Sequence, residues 1–156
     1  IGVALVLVLS ALLIFPELLN DVSDAAKLAY VNTTLSGIDV AGKIAELESL
    51  IDIDKLHRDE SLNLSALAEN LHLTSHQLSE LINSHYGVGF SRFIRERRVM
   101  DARTILSQDY RSSVLSIGLT VGFGSQSSFY SAFREVVGES PAAFRKNQSV
   151  DINTPE

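Results

Sequence analysis

The sequence contains no cysteine, and its basic residues are outnumbered by acidic ones. Without cysteine the chain cannot form a disulfide, a thiolate metal site or a cysteine nucleophile. With 13 Lys and Arg against 19 Asp and Glu, its net charge is -6, which taken alone argues against a nucleic-acid partner. Metalloprotease, phosphate-loop and serine-hydrolase motifs are also missing. We therefore expect a protein that is not an enzyme and needs no cofactor or metal.

Charge is absent from residues 1–16 and unevenly distributed after them. Residues 17–60 carry 4 basic and 10 acidic side chains, whereas residues 61–149 carry 9 basic and 7 acidic ones. The dense basic cluster consists of Arg92, Arg95, Arg97, Arg98 and Arg103. The electrostatic attraction for an anionic partner is therefore local and modest.

The N-terminal residues 1–15 are apolar apart from Ser10. Because the chain does not begin with Met, we expect this run to continue upstream. A membrane-spanning helix needs roughly 20 apolar residues, so we interpret residues 1–19 as the end of a transmembrane helix, followed by a linker over 20–42. A helix packed in a core or on a partner, and the remnant of a signal peptide, are the alternatives. Acidic residues follow the run, although cytoplasmic flanks usually favour Lys and Arg.

From Lys43 onward apolar residues recur at helical spacing, which predicts an all-α domain over residues 43–147. The predicted parts are a first helix ending near Arg58, a helix-turn-helix at about 63–84, a connecting helix at about 90–107, a second helix-turn-helix at about 113–137, a final helix, and a tail over 148–156. The predicted N-caps are Asn63, Thr74 or Ser75, and Ser112 or Ser113. Two short helices joined by a tight turn are typical of a helix-turn-helix.

The most informative motif runs from Gly122 to Arg145 and reads GF-x5-F-x3-F-R-x3-G-x-S-P-x2-F-R. Its Phe129 and Phe133 lie four residues apart, so one face of this helix is predicted to be core. The polar side chains between them fall on the outer faces, where a DNA-reading helix carries its donors.

This motif resembles the second helix-turn-helix of the AraC/XylS family of bacterial transcription regulators. The similarity extends over about residues 43–147, through Leu62-Asn63-Leu64, Leu78-Ser79, Ile82-Asn83, Phe93-Ile94 and Arg98-Val99. It implies an all-α fold with two helix-turn-helix subdomains joined by a long connecting helix, preceded here by a linker and a hydrophobic N-terminal helix. It also implies sequence-specific binding of double-stranded DNA and regulation of transcription. The stretch 46–56 is similar to the subgroup tethered below a membrane-embedded sensor.

Two residues depart from the family pattern. Gly118 stands where the family usually has Ala, and a glycine within a helix costs roughly 1 kcal/mol relative to Ala. Glu80 stands where many members have a basic or amide residue, and its carboxylate repels phosphates but can accept from cytosine N4. Arg98 occupies the family's structural arginine position, so we expect it to form an ion pair or to bond the backbone rather than DNA.

Two sets of residues are the candidates for contact with DNA. The side chains predicted to reach base edges are Ser75, His76, Gln77, Ser79, Glu80, Asn83, Gln126, Ser127, Ser128, Tyr130 and Ser131. Those predicted to contact phosphates are Ser125, Arg92, Arg95, Arg134, Arg145 and Lys146. For each of them a solvated surface position is the competing interpretation. Gln126 is the strongest candidate, because an amide can pair with adenine through two hydrogen bonds.

The expected partner is duplex DNA, and RNA polymerase, the membrane and a second copy of the chain are further expectations. The DNA-binding part would lie in the cytoplasm, attached to the inner membrane by the N-terminal segment. The alternative is a membrane-tethered helical module that binds protein and not DNA. Glu80, Gly118 and the thin basic charge favour that alternative.

Overall fold

The computed structural model describes residues 34–151 and, before them, Gly2, Leu5 and Val6. Across residues 34–151 the regular secondary structure is helical, as predicted, and no strand occurs there. In chain order the helices are α1 (Val40–Asp52), a short 3-10 turn (Leu56–Arg58), α2 (Leu64–Asn70), α3 (Ser75–Tyr86), α4 (Phe90–Gln108), α5 (Val114–Thr120), α6 (Gln126–Val137) and α7 (Pro141–Asp151). They all belong to one compact unit, Asp39–Glu156.

The predicted transmembrane segment, apart from Gly2, Leu5 and Val6, and most of the predicted linker lie outside the described residues. Where the chain is described, no helix combines the length and the apolar character that crossing a membrane requires. The membrane interpretation of residues 1–19 therefore stays a prediction, as do the predicted domain boundaries.

Helix α1 begins and ends earlier than the sequence predicted. The side chain of Asp39 accepts a hydrogen bond from the backbone N–H of Gly42 at 3.0 Å, and this N-cap starts the helix at Val40 instead of Lys43. The helix stops at Asp52 rather than near Arg58 because Lys55 adopts a left-handed backbone conformation, with φ of 56°, from which the 3-10 turn starts.

The first helix-turn-helix consists of α2 and α3. Asn63 caps α2 by accepting from the N–H of Ala66 at 3.0 Å, as predicted. Of the two candidates for the cap of α3, Thr74 is the one that acts. The shared core is formed by apolar side chains with no exposed surface, namely Leu67, Leu71, Leu78, Leu81 and Ile82. Leu73, in the turn between the two helices, is half-buried.

Helix α4 is the rod on which both subdomains are mounted. With 19 residues it is about 28 Å long. Near its start, the ring of Phe93 packs on Tyr86 at the end of α3, with 4.7 Å between ring centroids. Further along, α4 contributes three buried residues to the core of the second subdomain, namely Val99, Ala102 and Leu106. One helix therefore takes part in both cores.

The second helix-turn-helix consists of α5 and α6, with α7 packed against it. Ser113 caps α5 by accepting from the N–H of Ser116 at 3.0 Å. The core is a chain of four phenylalanine rings, whose successive centroid distances are 5.3, 5.7 and 5.7 Å for the order Phe123, Phe129, Phe133 and Phe144. The prediction that Phe129 and Phe133 are core residues is confirmed, since neither has exposed surface.

Gly118, one of the two departures from the family pattern, has a packing role. A Cβ atom at this position would lie 2.5 Å from Cδ1 and 2.8 Å from Cγ of Phe129. Such distances are far below van der Waals contact, so the missing side chain is what allows the Phe129 ring to lie against α5. The sequence suggested only a weaker helix at this point, because the contact is made by a residue on another helix.

Candidate nucleic-acid interface

The predicted base-reading residues of α3 are at least partly accessible. His76 and Asn83 are exposed, whereas Ser75, Ser79 and Glu80 are half-buried. Gln77 differs from the others because it belongs to a capping box. Its Oε1 accepts from the N–H of Thr74 at 2.9 Å, and its own N–H donates to Oγ1 of Thr74 at 3.2 Å. Gln77 is therefore committed to starting the helix, and its side-chain oxygen is not a free acceptor for a base.

The beginning of α6 presents an exposed row of small polar residues. Residues 124–128 are all exposed, and Gln126 and Ser127 are the first two residues of the helix. Ser125 caps α6 by accepting from the N–H of Ser128 at 3.2 Å. The hydroxyl of Ser128 donates to the backbone oxygen of Ser125 at 2.9 Å, so these two serines are bonded to each other.

The remaining candidates of α6 lie one turn further along. Ser131 is exposed, and Tyr130 is half-buried with its ring against Phe129, at a centroid distance of 6.0 Å. Gln126 stays the strongest candidate for reading a base, since it is exposed at the helix start. Its assignment is a proposal, as are those of the other base-reading residues.

The arginines predicted to contact phosphates differ in their surroundings. Arg134 and Lys146 are exposed. Arg92 lies on the surface and donates to Glu96, one turn along α4, at 2.7 Å. Arg95 donates to Glu135 of α6 at 3.0 Å, so it connects the rod to the second recognition helix. Each of these two ion pairs would have to open before its arginine could contact a phosphate, unless the arginine bonds the glutamate and the phosphate at the same time.

Arg145 has a structural role that the sequence did not indicate. Its side chain is half-buried and donates to the backbone oxygen of Ser112 at 2.7 Å. That bond ties α7 to the loop before α5. Asp109 in the same loop accepts from the backbone N–H groups of Arg111 and Ser112, at 2.8 and 3.1 Å. The pKa of Asp109 is lowered, chiefly by a hydrogen bond from the side chain of Ser112 and further by these two backbone hydrogen bonds.

Arg98 bonds the backbone, as the sequence predicted. Its Nε donates to the backbone oxygen of His57, and its Nη2 donates to that of Asp59, both at 2.7 Å. Burial lowers the pKa of Arg98, and the carboxylates of Asp59 and Glu60 oppose this effect. The arginine therefore holds the segment that precedes the first helix-turn-helix.

A second buried polar cluster at this place was not predicted. Asp101 of α4 accepts from Nε and Nη2 of Arg58, at 2.7 and 3.0 Å, and lies 2.9 Å from Nε2 of His57. Burial alone would raise the pKa of Asp101, but the hydrogen bonds from Arg58 and His57 outweigh it and the pKa is lowered. The partners are more than 40 residues apart in the chain. No local sequence pattern connects them, although a His-Arg pair in a short segment could have prompted a search for a carboxylate.

Comparisons with known proteins identify the arrangement. The sequence profile of a family described as "Helix-turn-helix domain" matches residues 67–147, which is more than half of the chain. The crystal structure of a transcriptional regulator from Chromobacterium violaceum, one of the AraC-type DNA-binding domain-containing proteins, aligns with a TM-score of 0.62 at 27% identity. The alignment covers 70% of this chain and 94% of that one.

The chain belongs to the AraC-type family of helix-turn-helix domains. That family consists of DNA-binding transcription regulators and not of enzymes. The melibiose operon regulatory protein of Escherichia coli K12 is 34% identical over 88 residues, which are 56% of this chain and 29% of that protein. This AraC-type chain spans about a third of the length of the curated relatives it matches first.

A second structural likeness concerns the fold alone. The DNA-binding domain of AdpA, a global transcriptional factor crystallised in complex with a target DNA, aligns with a TM-score of 0.61 at 23% identity. The alignment covers 74% of this AraC-type chain and 97% of the AdpA chain. Two helix-turn-helix subdomains on one connecting helix are thus an architecture shared with a DNA-bound protein.

Proposed function

We propose that this domain binds a specific duplex DNA sequence through both of its recognition helices, and that the protein containing it regulates transcription. Helices α3 and α6 enter two adjacent major-groove segments on one face of the duplex. The observation that supports this proposal is the presence of two similar recognition helices in one domain. Each recognition helix has 12 residues, starts at a side-chain cap and carries polar residues in its first turn.

The two helix starts are suited to the DNA backbone as well as to the bases. Backbone N–H groups in the first turn of a helix attract anions, and the exposed side chains of His76 and Gln126 stand in the first turns of α3 and α6. The exposed side chains of Arg134 and Lys146 add positive charge on the second subdomain. Phosphate contacts of this kind orient the protein, while side chains such as Gln126 select the bases.

Salt dependence of binding distinguishes this function from its rival, a helical module that binds protein. Cationic contacts to phosphates release counterions, so the logarithm of the binding constant falls linearly with the logarithm of the salt concentration. We expect a slope of roughly -0.9 for each phosphate contact. The measurement is a titration of the 156-residue chain into a selected duplex at four salt concentrations. A flat dependence, or no binding at low salt, would favour the protein-binding module.

The remaining partners stay proposals. A domain that reads DNA acts where the DNA is, which places it on the cytoplasmic side of any membrane. Attachment to the inner membrane through residues 1–19, contact with RNA polymerase and pairing with a second copy of the chain are consistent with that position. Each of them needs its own experiment, and DNA binding by the described domain depends on none of them.

A further inference from the structure

A short segment between α1 and the first helix-turn-helix contacts α1, the rod α4 and the turn of the second helix-turn-helix. We call residues 56–60 the bridge. At one end it is tied to α1, because Nδ1 of His57 lies 2.9 Å from the backbone oxygen of Ile51. At its other end the chain enters α2 within a few residues, at the Asn63 cap. The bridge is thus a direct continuation of the first subdomain.

Directional polar contacts fasten the bridge to the rod α4. Arg98 donates to two of its backbone oxygens, those of His57 and Asp59, at 2.7 Å each. In the opposite direction, Arg58 donates twice to Asp101. Charge-assisted bonds in a forked geometry fix both distance and orientation. The bridge therefore cannot slide or rotate on α4 without breaking several bonds.

The same segment lies directly on the turn of the second helix-turn-helix. Gly122 in that turn is buried and has a φ of 96°. A Cβ atom there would lie 2.7 Å from the backbone oxygen of Arg58 and 2.9 Å from that of His57. Only a glycine lets the two backbones approach so closely. Two residues on, Gly124 lies against the side chain of Glu60.

Apolar packing alone would leave the angle between the two subdomains weakly defined. Both cores include α4, but burial of apolar surface is non-directional and tolerates small rotations about the rod. The bridge adds hydrogen bonds to the rod and a backbone contact to the second turn. These contacts restrain rotation of the second subdomain relative to the first, in addition to the hydrogen bond between Arg95 and Glu135.

We propose that the bridge sets the spacing between the two DNA segments that the domain reads, with Arg98 as its positioning residue. This inference rests on the proposed function, because it assumes that both recognition helices meet DNA. Each added base pair moves one segment by about 3.4 Å along the duplex and by roughly 35° around it. A domain with a fixed angle between its readers tolerates one spacing, and a domain with a loosened bridge tolerates several.

The test compares the spacing preference of the wild type with that of Arg98→Gln. The probes are duplexes carrying both selected boxes at the preferred spacing or with one or two base pairs added or removed, and duplexes carrying a single box. We expect the wild type to lose about tenfold or more in affinity at a changed spacing, comparable to a mismatched base pair. For Arg98→Gln we expect less than about threefold loss, with single-box affinity unchanged.

Arg103→Gln is the matched control. This arginine is on the same helix, but its guanidinium lies over the Phe144 ring at 5.7 Å, away from the bridge. It should keep the spacing preference of the wild type. Identical profiles for Arg98→Gln and the wild type would overturn the inference and leave the proposed function intact. Failure of the wild type to bind at any spacing would overturn both. If Arg98→Gln does not unfold cooperatively, Arg58→Gln takes its place under the same criteria.

A distance measurement tests the bridge without DNA. Because the chain has no cysteine, Glu69→Cys and Thr120→Cys introduce two unique and exposed positions for spin labels, one on α2 and one on α5. Double electron–electron resonance should give one narrow distance distribution in this background and a distribution at least about twice as broad after Arg98→Gln. Equal widths would overturn the inference.

Discussion

At the scale of single residues, the most constrained group is the cluster of His57, Arg58 and Asp101. His57 has 2% of its surface exposed, and both of its ring nitrogens face oxygen acceptors. The carboxylate of Asp101 also accepts two hydrogen bonds from the guanidinium of Arg58. Removing this carboxylate would leave the half-buried donors of Arg58 without an acceptor, which costs more free energy than removing both partners together.

Replacing Asp101 with Asn should destabilise the domain in a pH-dependent way. The lowered pKa of Asp101 means that its carboxylate stabilises the fold above the unfolded value near about 4, and that this contribution is lost as the pH falls through the folded value. Denaturant unfolding should show the wild type more stable by about 1–3 kcal/mol at pH 7. That difference should shrink between about pH 5 and pH 3.

The exposed Asp52, which lies 3.8 Å from Arg97, provides the control for this series. Asp52→Asn should change the free energy of unfolding by less than about 1 kcal/mol at any pH. A difference between wild type and Asp101→Asn that stays constant from pH 7 to pH 3 would show that the carboxylate is not held ionised by its partners.

A second prediction at this scale concerns Gly118. Alanine is intrinsically better in a helix by roughly 1 kcal/mol, but its Cβ would overlap the buried ring of Phe129. Overpacking of a core typically costs about 1–3 kcal/mol, so we expect Gly118→Ala to lower the melting temperature. Thr120→Ala, at an exposed position of the same helix, is the reference. A melting temperature raised by Gly118→Ala would mean that the ring moves aside freely.

At the scale of elements, α3 and α6 have the same length but different N-terminal caps. Helix α3 begins with a capping box, in which Gln77 takes part, whereas α6 begins with mutually bonded serines. The first arrangement occupies an amide that could otherwise read a base. The second leaves Gln126 exposed beside the cap. We therefore expect α6 to carry more of the base discrimination than α3.

Replacing Gln126 with Ala should test this difference. An amide that pairs with a base through two hydrogen bonds contributes about 1–3 kcal/mol, and its loss should relax the preference at one base position only. Selection of binding sites from a random duplex library, repeated with the variant, measures this directly. Gln108→Ala, at an exposed position near the end of α4, should leave the selected site unchanged. An equal loss of affinity on all sequences would show that Gln126 reads no base.

The elements were predictable from the sequence where their signals are local. The caps at Asn63 and Ser113 and the core positions of Phe129 and Phe133 follow from residue types at short spacing, and the structure confirms them. The capping box at Thr74 and Gln77 also has a local signature, a Thr followed by Gln three residues later, and this role competes with the predicted role of Gln77 in reading a base. The end of α1 was misplaced because the helical pattern gave no sign of the left-handed Lys55.

The bridge could not have been predicted in the same way. Its contacts join residues about 40 apart or more in the chain, such as Arg98 with Asp59 and Arg58 with Asp101. The hydrophobic periodicity of one segment carries no information about its contacts with the other segment. The family position of Arg98 indicated a structural role, but only the folded chain shows that the bond lies between the two subdomains.

At the scale of the whole molecule, two similar helix-turn-helix units are mounted on one connecting helix. The rod α4 takes part in both cores, and the bridge fastens the first subdomain to the turn of the second. The negative net charge is compatible with DNA binding because the acidic excess lies in residues 17–60, outside both helix-turn-helix units. A short-range, geometrically specific interface suits such a molecule better than broad electrostatic attraction.

The most direct test of this account is a footprint of the 156-residue chain on the duplex it selects from a random library. We predict two protected major-groove segments on one face of the duplex, with centres one helical turn, or about 34 Å, apart. Protection of both segments should weaken as the salt concentration rises. A single protected segment, or two segments on opposite faces, would contradict the claim that α3 and α6 read DNA together from one rigid frame.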